Sequence, residues 1–191
     1  MWEYSADGMT YDDKTHTYML GGGNLTSVTT LLQESGIINN KFYTEAGAAN
    51  GSRRHKLTEL YDQQNLNWGT IGEADLPYLE GWMKFREERK VDIMEIEVGA
   101  YHPLLNFAGR ADRLALINGE PFIIDIKTGA FSKASELQMI LYGMMFTYNG
   151  QRPNLMLVHI NNKGTYKPNQ VTFKDERFAM ACIRVNQFKQ R

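Results

Sequence analysis

Two aspartates and a lysine in this sequence are spaced so that they can share chemistry. Asn118-Gly119 is a strong signal for a tight type I′ hairpin, and Asp112 and Asp125 each lie six residues from it, one on either side. A two-residue or four-residue loop with this centre places them directly across the ladder, whereas a bulge or an odd-length loop breaks the match. Cβ atoms of such a pair are about 4.5–5.5 Å apart, and like charges there destabilise a hairpin unless something neutralises them. A divalent cation is the obvious neutraliser. Lys127 follows Asp125 by two residues, so strand alternation puts its ammonium on the same face, while Ile124 and Ile126 point to the other. Two hard oxygen ligands suit magnesium or manganese. Without the ion the fold bears the repulsion, so the register predicts that Asp112→Asn raises the metal-free melting temperature. The plain alternative is an ordinary hairpin with solvated charges on its outer face.

Gly109-x-x-Asp112, then a strand ending Asp125-x-Lys127-Thr128-Gly129, then Gln138-x-x-x-Tyr142 resembles the RecB-like branch of the PD-(D/E)XK nucleases. Gly51-Ser-Arg-Arg-His55 resembles that branch's Gly-x-x-x-His motif, with Glu59 one turn later. Tyr18, followed by Leu25-Thr-Ser-Val-Thr-Thr-Leu-Leu32, is similar to the N-terminal segment of small phage and mitochondrial genome maintenance exonucleases. The resemblance covers about residues 16–160. It implies an α/β fold with a restriction-endonuclease-like core, a central mixed β-sheet flanked by helices. It also implies a metal-dependent DNA exonuclease, ahead of an endonuclease, serving phage or bacterial recombination, repair or replication and leaving a 5′-phosphate. By position, His55, Asp112, Asp125 and the Ile126 carbonyl would hold Mg2+ or Mn2+, Lys127 would orient the attacking water or stabilise the transition state, and Gln138 and Tyr142 would support the site. The implied partner is DNA, single-stranded or with free ends, leaving room for a recombination or replication protein.

These residues also have readings of their own. Gly51 and His55 lie at i and i+4, so the missing side chain lets another backbone or a phosphate approach beside the imidazole. Gln138 and Tyr142 are again i and i+4 and share one helix face. Arg53, Arg54 and Lys56 accompany His55, while Arg110, Arg113 and Lys133 flank the other motifs, giving either a cationic rim for a phosphate backbone or merely solvated faces. Tyr43, Trp82 and Phe131 offer stacking surfaces for unpaired bases, with core packing the alternative for Trp82. Glu97 is an accessory acid or a solvated one, and His16, His102 and His159 take structural or surface roles. A non-catalytic nucleic-acid-binding or assembly module is the competing function. The intact set of His55, Asp112, Asp125 and Lys127 favours catalysis over it.

The elements that position these groups follow from pattern. With 191 residues, 42% hydrophobic and 23% charged, residues 1–191 are expected to form one domain with a core of useful size. Net charge is −1, yet beyond residue 150 there are eight basic residues against two acidic, which suits clustered carboxylates beside a phosphate-binding rim. Cys182 is the only cysteine, so this chain supplies neither a disulfide nor the four thiolates of an iron-sulfur cluster. No G-x-x-x-x-G-K-[ST] loop is present, so no ATP motor is built in. The first residues lack a basic start and apolar run, and no stretch approaches a membrane span, so a cytoplasmic setting without membrane contact is expected. Residues 11–20, a Gly21-Gly22-Gly23-Asn24 turn and residues 25–29 read as a hairpin, although Ser27 equally caps a short helix through Leu32. Helices are expected over 46–61, around Tyr78, Trp82 and Phe85, over 132–148 and over 175–190. Strands are expected from about 93, over 107–117, 122–127 and 155–160, with 171–173 pairing to the last.

Overall fold

The computed structural model describes residues 1–12, 15, 17–38, 44–130 and 132–190, so His16, Tyr43 and Phe131 lie outside the described residues. The chain opens with four short strands, β1 (Trp2–Tyr4), β2 (Met9–Asp12), β3 (Thr17–Leu20) and β4 (Gly23–Ser27). Residues 11–20 are not one strand: β2 folds back on β3 with Tyr11 opposite Tyr18, and β3 pairs with β4. Ser27 ends β4 and caps α1 (Val28–Glu34), its Oγ accepting the Thr30 N–H at 3.0 Å. Satisfying an otherwise orphaned helix donor is the reason the strand stops there and does not reach Thr29.

Two helices follow, α2 (Glu45–Asp62) and α3 (Leu76–Arg89), and then the long hairpin strands β5 (Val91–His102) and β6 (Phe107–Ile117) and the strand β7 (Glu120–Lys127). Asn118 and Gly119 both have positive φ, 53° and 83°, as a type I′ turn requires. The expected helix over 132–148 is shorter. After α4 (Lys133–Gly143), Phe146–Tyr148 forms β8, which pairs with β1 through aromatic contacts between Trp2 and Tyr148 and between Tyr4 and Phe146. β9 (Asn154–Ile160) pairs with β10 (Tyr166–Val171), so the partner strand lies before Val171, and residues 173–175 turn into α5 (Glu176–Lys189). No helix among the described residues is long and apolar enough to cross a membrane.

The main sheet runs β10-β9-β7-β6-β4-β3-β2, with β5 also on β6. It is mixed: β7 and β9 are parallel, as are β4 and β6, while the β5–β6, β6–β7 and β9–β10 pairs are antiparallel. Both faces are covered. On one, Leu31, Leu32, Ile140, Leu141 and Ile183 from α1, α4 and α5 pack on Phe107, Leu114, Ile123 and Leu157. On the other, Trp82 and Phe85 of α3 cover Ile124, Ile126, Val158 and Ile160. Burial on both faces explains why 122–124 are apolar without a break up to Asp125. It also gives Trp82 its role, as a core residue whose indole N–H is 3.1 Å from Asp62. This is the restriction-endonuclease-like architecture expected from the sequence, a mixed sheet between helices.

One edge of β6 serves two partners. Residues 113–117 pair with β7, residues 107 and 108 pair with β4, and β5 runs along the opposite edge throughout. The sheet therefore forks between Gly109 and Asp112. Tyr142 of α4 packs on the sheet face over Gly109, at the fork, where a Cβ on that residue would lie 2.7 Å from its ring and 2.9 Å from Val28. Overpacking of this kind costs about 1–3 kcal/mol. Gly109→Ala is expected to lower the melting temperature, by about 2–4 °C per kcal/mol in a chain of this size. Calorimetry showing an unchanged transition would mean that the fork tolerates a side chain.

Candidate active site

The hairpin register holds as far as Arg113 opposite Ile124, and the fork then interrupts it one step short of Asp112 and Asp125. Instead of a backbone pair, the Ile126 N–H donates to Asp112 Oδ2 at 2.7 Å. The two carboxylates are thus near neighbours, both buried, at the carboxyl end of β7 where the strands part. His55 reaches them from the middle of α2, with Nδ1 3.3 Å from Asp112 Oδ2. The nearest atom to where a Cβ of Gly51, one turn earlier, would stand is the Thr128 hydroxyl oxygen at 4.0 Å, so a side chain from the turn after β7 and not another backbone lies there.

Glu97 completes the group. Its neighbours Ile96 and Val98 pair with Arg113 and Ala111, which sets Glu97 opposite Asp112 on the other edge of β6. Its φ of 52° is left-handed, a conformation that costs a non-glycine residue of order 1–3 kcal/mol and concentrates at functional sites. Ligand atoms of His55, Glu97 and Asp112 all lie within 4.8 Å of one another. Of the two expectations for Glu97, accessory acid and solvated charge, this geometry favours the first. Its signal lay in Pro103 and Asn106, which mark a four-residue turn placing Glu97 across from Asp112.

Asp125 stands beside this trio and engages the lysine. Lys127 Nζ is 2.7 Å from Asp125 Oδ2 and donates to Gln138 Oε1 at 3.0 Å, and the Gln138 amide donates to the Tyr142 hydroxyl at 2.9 Å. The i and i+4 residues of α4 therefore reach back to the hairpin as their spacing requires. The Ile126 side chain is in the core, its N–H taken by Asp112.

The cationic residues divide. Arg113 is 0% exposed, its guanidinium enclosed by Asp62 at 2.6 Å, Glu97 at 3.3 Å, the Asp112 carbonyl and Thr58. A DNA phosphate cannot reach it, which corrects its assignment to the rim. Its place is beneath the site, joining α2 to β5 and β6. Arg53 and Arg54 both grip Asp75 at the start of α3, and Arg54 also lies 3.6 Å from the centre of the Tyr78 ring. Lys56 pairs with Glu59 on the surface of α2, Arg110 spans Glu97 and the Tyr11 ring, and Lys133 is exposed at the first turn of α4. His102 stacks on Phe107 and accepts the Leu105 N–H, a structural role as expected.

Charge is unevenly compensated. Burial pushes the Asp112 carboxyl up, but the adjoining His55, Lys127 and the Ile126 N–H overcome it and hold it below the usual carboxylate range. Burial opposes a charged His55, and the Asp112 and Asp125 carboxylates outweigh it, so the imidazole titrates above its ordinary value. Glu97 is pushed up to about 7 by burial and by Asp112, against Arg110, Arg113 and His55. Asp125 is pushed up to about 6 by burial and Asp112, against Lys127. Burial and the two aspartates also raise Tyr142, keeping its hydroxyl protonated. An uncompensated carboxylate beside a second carboxylate and an imidazole fits a hard divalent cation, and the donor set fits magnesium or manganese.

A cavity of about 580 Å³ opens over His55, Glu97, Asp112 and Tyr142. A second, of about 630 Å³, reaches Lys127, Thr128, Gly129 and Gln138 and shares Gly51 and His55 with the first. The two make one groove passing the carboxylates.

A model of the PD-(D/E)XK nuclease superfamily matches residues 43–188. Comparison with curated proteins finds no match. Among solved structures, an alkaline exonuclease (LHK-Exo) from Laribacter hongkongensis is similar at 16% identity, with 87% of this chain and 86% of that chain covered and a TM-score of 0.49. The same enzyme in complex with dAMP is similar at 12% identity over 87% and 92%, with a TM-score of 0.38. A protein named SSO0001 is similar at 16% identity over 84% and 81%, again with a TM-score of 0.38.

The charge balance reverses the expectation for Asp112. Glu97 and Asp125 rise from ordinary values of 4.5 and 3.8, so the folded state holds protons that the unfolded chain releases, and stability falls as pH climbs through that window. At pH 8 in chelator, Glu97→Gln and Asp125→Asn are expected to melt higher than wild type by a few degrees, while Asp112→Asn melts lower. At pH 4 the gain of the first two should vanish. Thermal melts at both pH values check this, and a higher-melting Asp112→Asn would return the repulsion to that residue.

Proposed function

This chain belongs to the PD-(D/E)XK nuclease superfamily, and from that premise we propose that it hydrolyses DNA phosphodiester bonds with magnesium or manganese, acting as an exonuclease. The observation carrying this reading is the convergence of His55, Glu97 and Asp112 within 4.8 Å, beside a lysine 2.7 Å from Asp125. His55, Glu97 and Asp112 would hold the cation, with Asp125 and the Ile126 carbonyl beside them. The bound ion would polarise a phosphoryl oxygen and make water a better nucleophile.

The chain's own groups do the rest. Asp125 and Gln138 fix the Lys127 ammonium from two sides, so its charge is held ready for the developing pentavalent phosphate at little reorganisation cost. Tyr142 donates no proton to the reaction: its hydroxyl accepts from Gln138 and keeps that amide turned so that its oxygen faces the lysine. Water oxygen bonds to phosphorus, the bond to the 3′ oxygen breaks, and the leaving oxygen takes a proton, giving a 5′-phosphate and a 3′-hydroxyl. Preference for ends over internal sites rests on the sequence resemblance to stand-alone exonucleases.

Purified protein is expected to degrade DNA with magnesium or manganese and to stop in excess chelator. Lys127→Ala should slow cleavage by about 10²–10³-fold, the usual loss for a preorganised transition-state donor, with manganese affinity by calorimetry within a few-fold of wild type. Gels with 5′-labelled and 3′-labelled single strands and duplexes give direction and strand preference. Cleavage undiminished by chelator, or a Lys127→Ala variant as fast as wild type, would overturn the assignment.

A further inference from the structure

The groove continues beyond the carboxylates. A cavity of about 600 Å³ lies across the Thr128-Gly129 turn from Lys127, and those two residues line it together with His159, Asn162, Lys167 and Asn169. It shares Thr128 and Gly129 with the cavity that reaches Lys127 and Gln138, so the two adjoin at that turn. The strand register explains its chemistry. His159 on β9 is the partner of Lys127 on β7 and equally of Lys167 on β10. In-register partners share a sheet face, so Lys127, His159 and Lys167 form one row across three strands. At about 4.8 Å per strand the row extends roughly 10 Å from Lys127 to the sheet edge.

Every described polar side chain lining this cavity is neutral or cationic, and none is a carboxylate. The first cavity, by contrast, carries Glu59, Glu97 and Asp112. Tyr78 lines the cavity beyond the turn, and one face of its ring is covered by the Arg54 guanidinium 3.6 Å from the centre, which favours hydrogen bonding and charge over base stacking as the means of recognition. Gly129 has nothing within 4 Å of where its Cβ would stand, so the turn between the two cavities leaves room for a backbone to pass. Lys167 belongs to the basic final segment of the chain, which thereby delivers its charge to the groove.

Resting on the nuclease reading above, we propose that Lys167 and Asn169 form a second phosphodiester subsite, with His159 between Lys127 and Lys167 as a neutral support bonded to the Gly129 backbone, and that it holds the substrate strand beyond the scissile bond as it crosses the carboxyl ends of β7 and β9 toward β10. The substrate is then a polynucleotide that extends past the bond cut, and the subsite acts on strand binding and not on the chemical step.

Lys167 is exposed on an edge strand away from the carboxylates, so Lys167→Ala and Lys167→Arg test the subsite without touching the candidate active site. Anisotropy of a dye-labelled twelve-nucleotide thymidine strand, titrated in chelator at several potassium chloride concentrations, reads binding without turnover. Lys167→Ala is expected to weaken binding about three- to ten-fold and to lower the log-log salt slope by about 0.7, the value for one lost phosphate contact on a single strand. Lys167→Arg should retain both. Hydrolysis of the 4-nitrophenyl ester of thymidine 5′-phosphate in manganese, which offers one phosphodiester and no following strand, should be equal in wild type and Lys167→Ala. Unchanged affinity and slope in Lys167→Ala overturn the subsite, as does an equal loss on the ester. A wild-type chain that binds with the expected slope but cleaves neither substrate overturns the nuclease reading while supporting the strand-binding row.

Discussion

The fork in the sheet is the constraint on which the rest of the site depends. β6 gives one edge to β7 at its end and to β4 at its start, and the four residues between have no strand partner on that side. A continuous ladder would have used the Ile126 N–H for a backbone carbonyl. Here it turns to the Asp112 carboxylate, while the Tyr142 ring packs on the sheet face over Gly109. Asp112, Asp125 and Lys127 collect at this point because β6 and β7 stop pairing there, and α2 and α4 bring His55 and Gln138 to it.

Holding several acids in a buried place requires support from below. Arg113, wholly enclosed, bonds Asp62 and Thr58 of α2 and Glu97 of β5 while standing next to Asp112 in β6. Asp62 also receives Arg86 and the Trp82 indole, so both helices over that face meet at one carboxylate. Removing one member of a buried pair of this kind typically costs 3–5 kcal/mol, because a charge is left uncompensated. Since Thr58 also bonds the His55 carbonyl, the same network fixes the height of the imidazole over the sheet. Position of the cation donors is thus secured by a cation that never meets solvent.

Electrostatics then separate the acids by duty. Asp112, with an imidazole, a backbone N–H and a lysine around it, stays ionised under all ordinary conditions. Glu97 and Asp125 carry the unrelieved charge, and that is what a divalent ion relieves. Glu59, Glu97 and Asp112 line the cavity over the carboxylates, whereas among the described residues no carboxylate lines the cavity on either side of the Thr128-Gly129 turn.

Local signals in the sequence determined a good part of this protein. The Asn118-Gly119 turn, the alternation around Asp125 and Lys127, the Ser27 cap and the spacing of His55, Gln138 and Tyr142 are carried by adjacent residues, and turn chemistry and helical period act over that range. The strand ends near Tyr11, Phe146 and Val171 were not legible, because each depends on a partner strand distant in the chain. Glu97 joined the site through the β5–β6 register, which runs unshifted from the turn at 103–106 to Glu95, so its place depends on strand pairing and not on the residues beside it. Arg110 and Arg113 look alike in the sequence, yet one borders the groove and the other is sealed beneath it. Which carboxylate bears the repulsion was likewise decided in three dimensions, since Coulomb energy depends on distance and burial, and neither is a property of spacing along the chain.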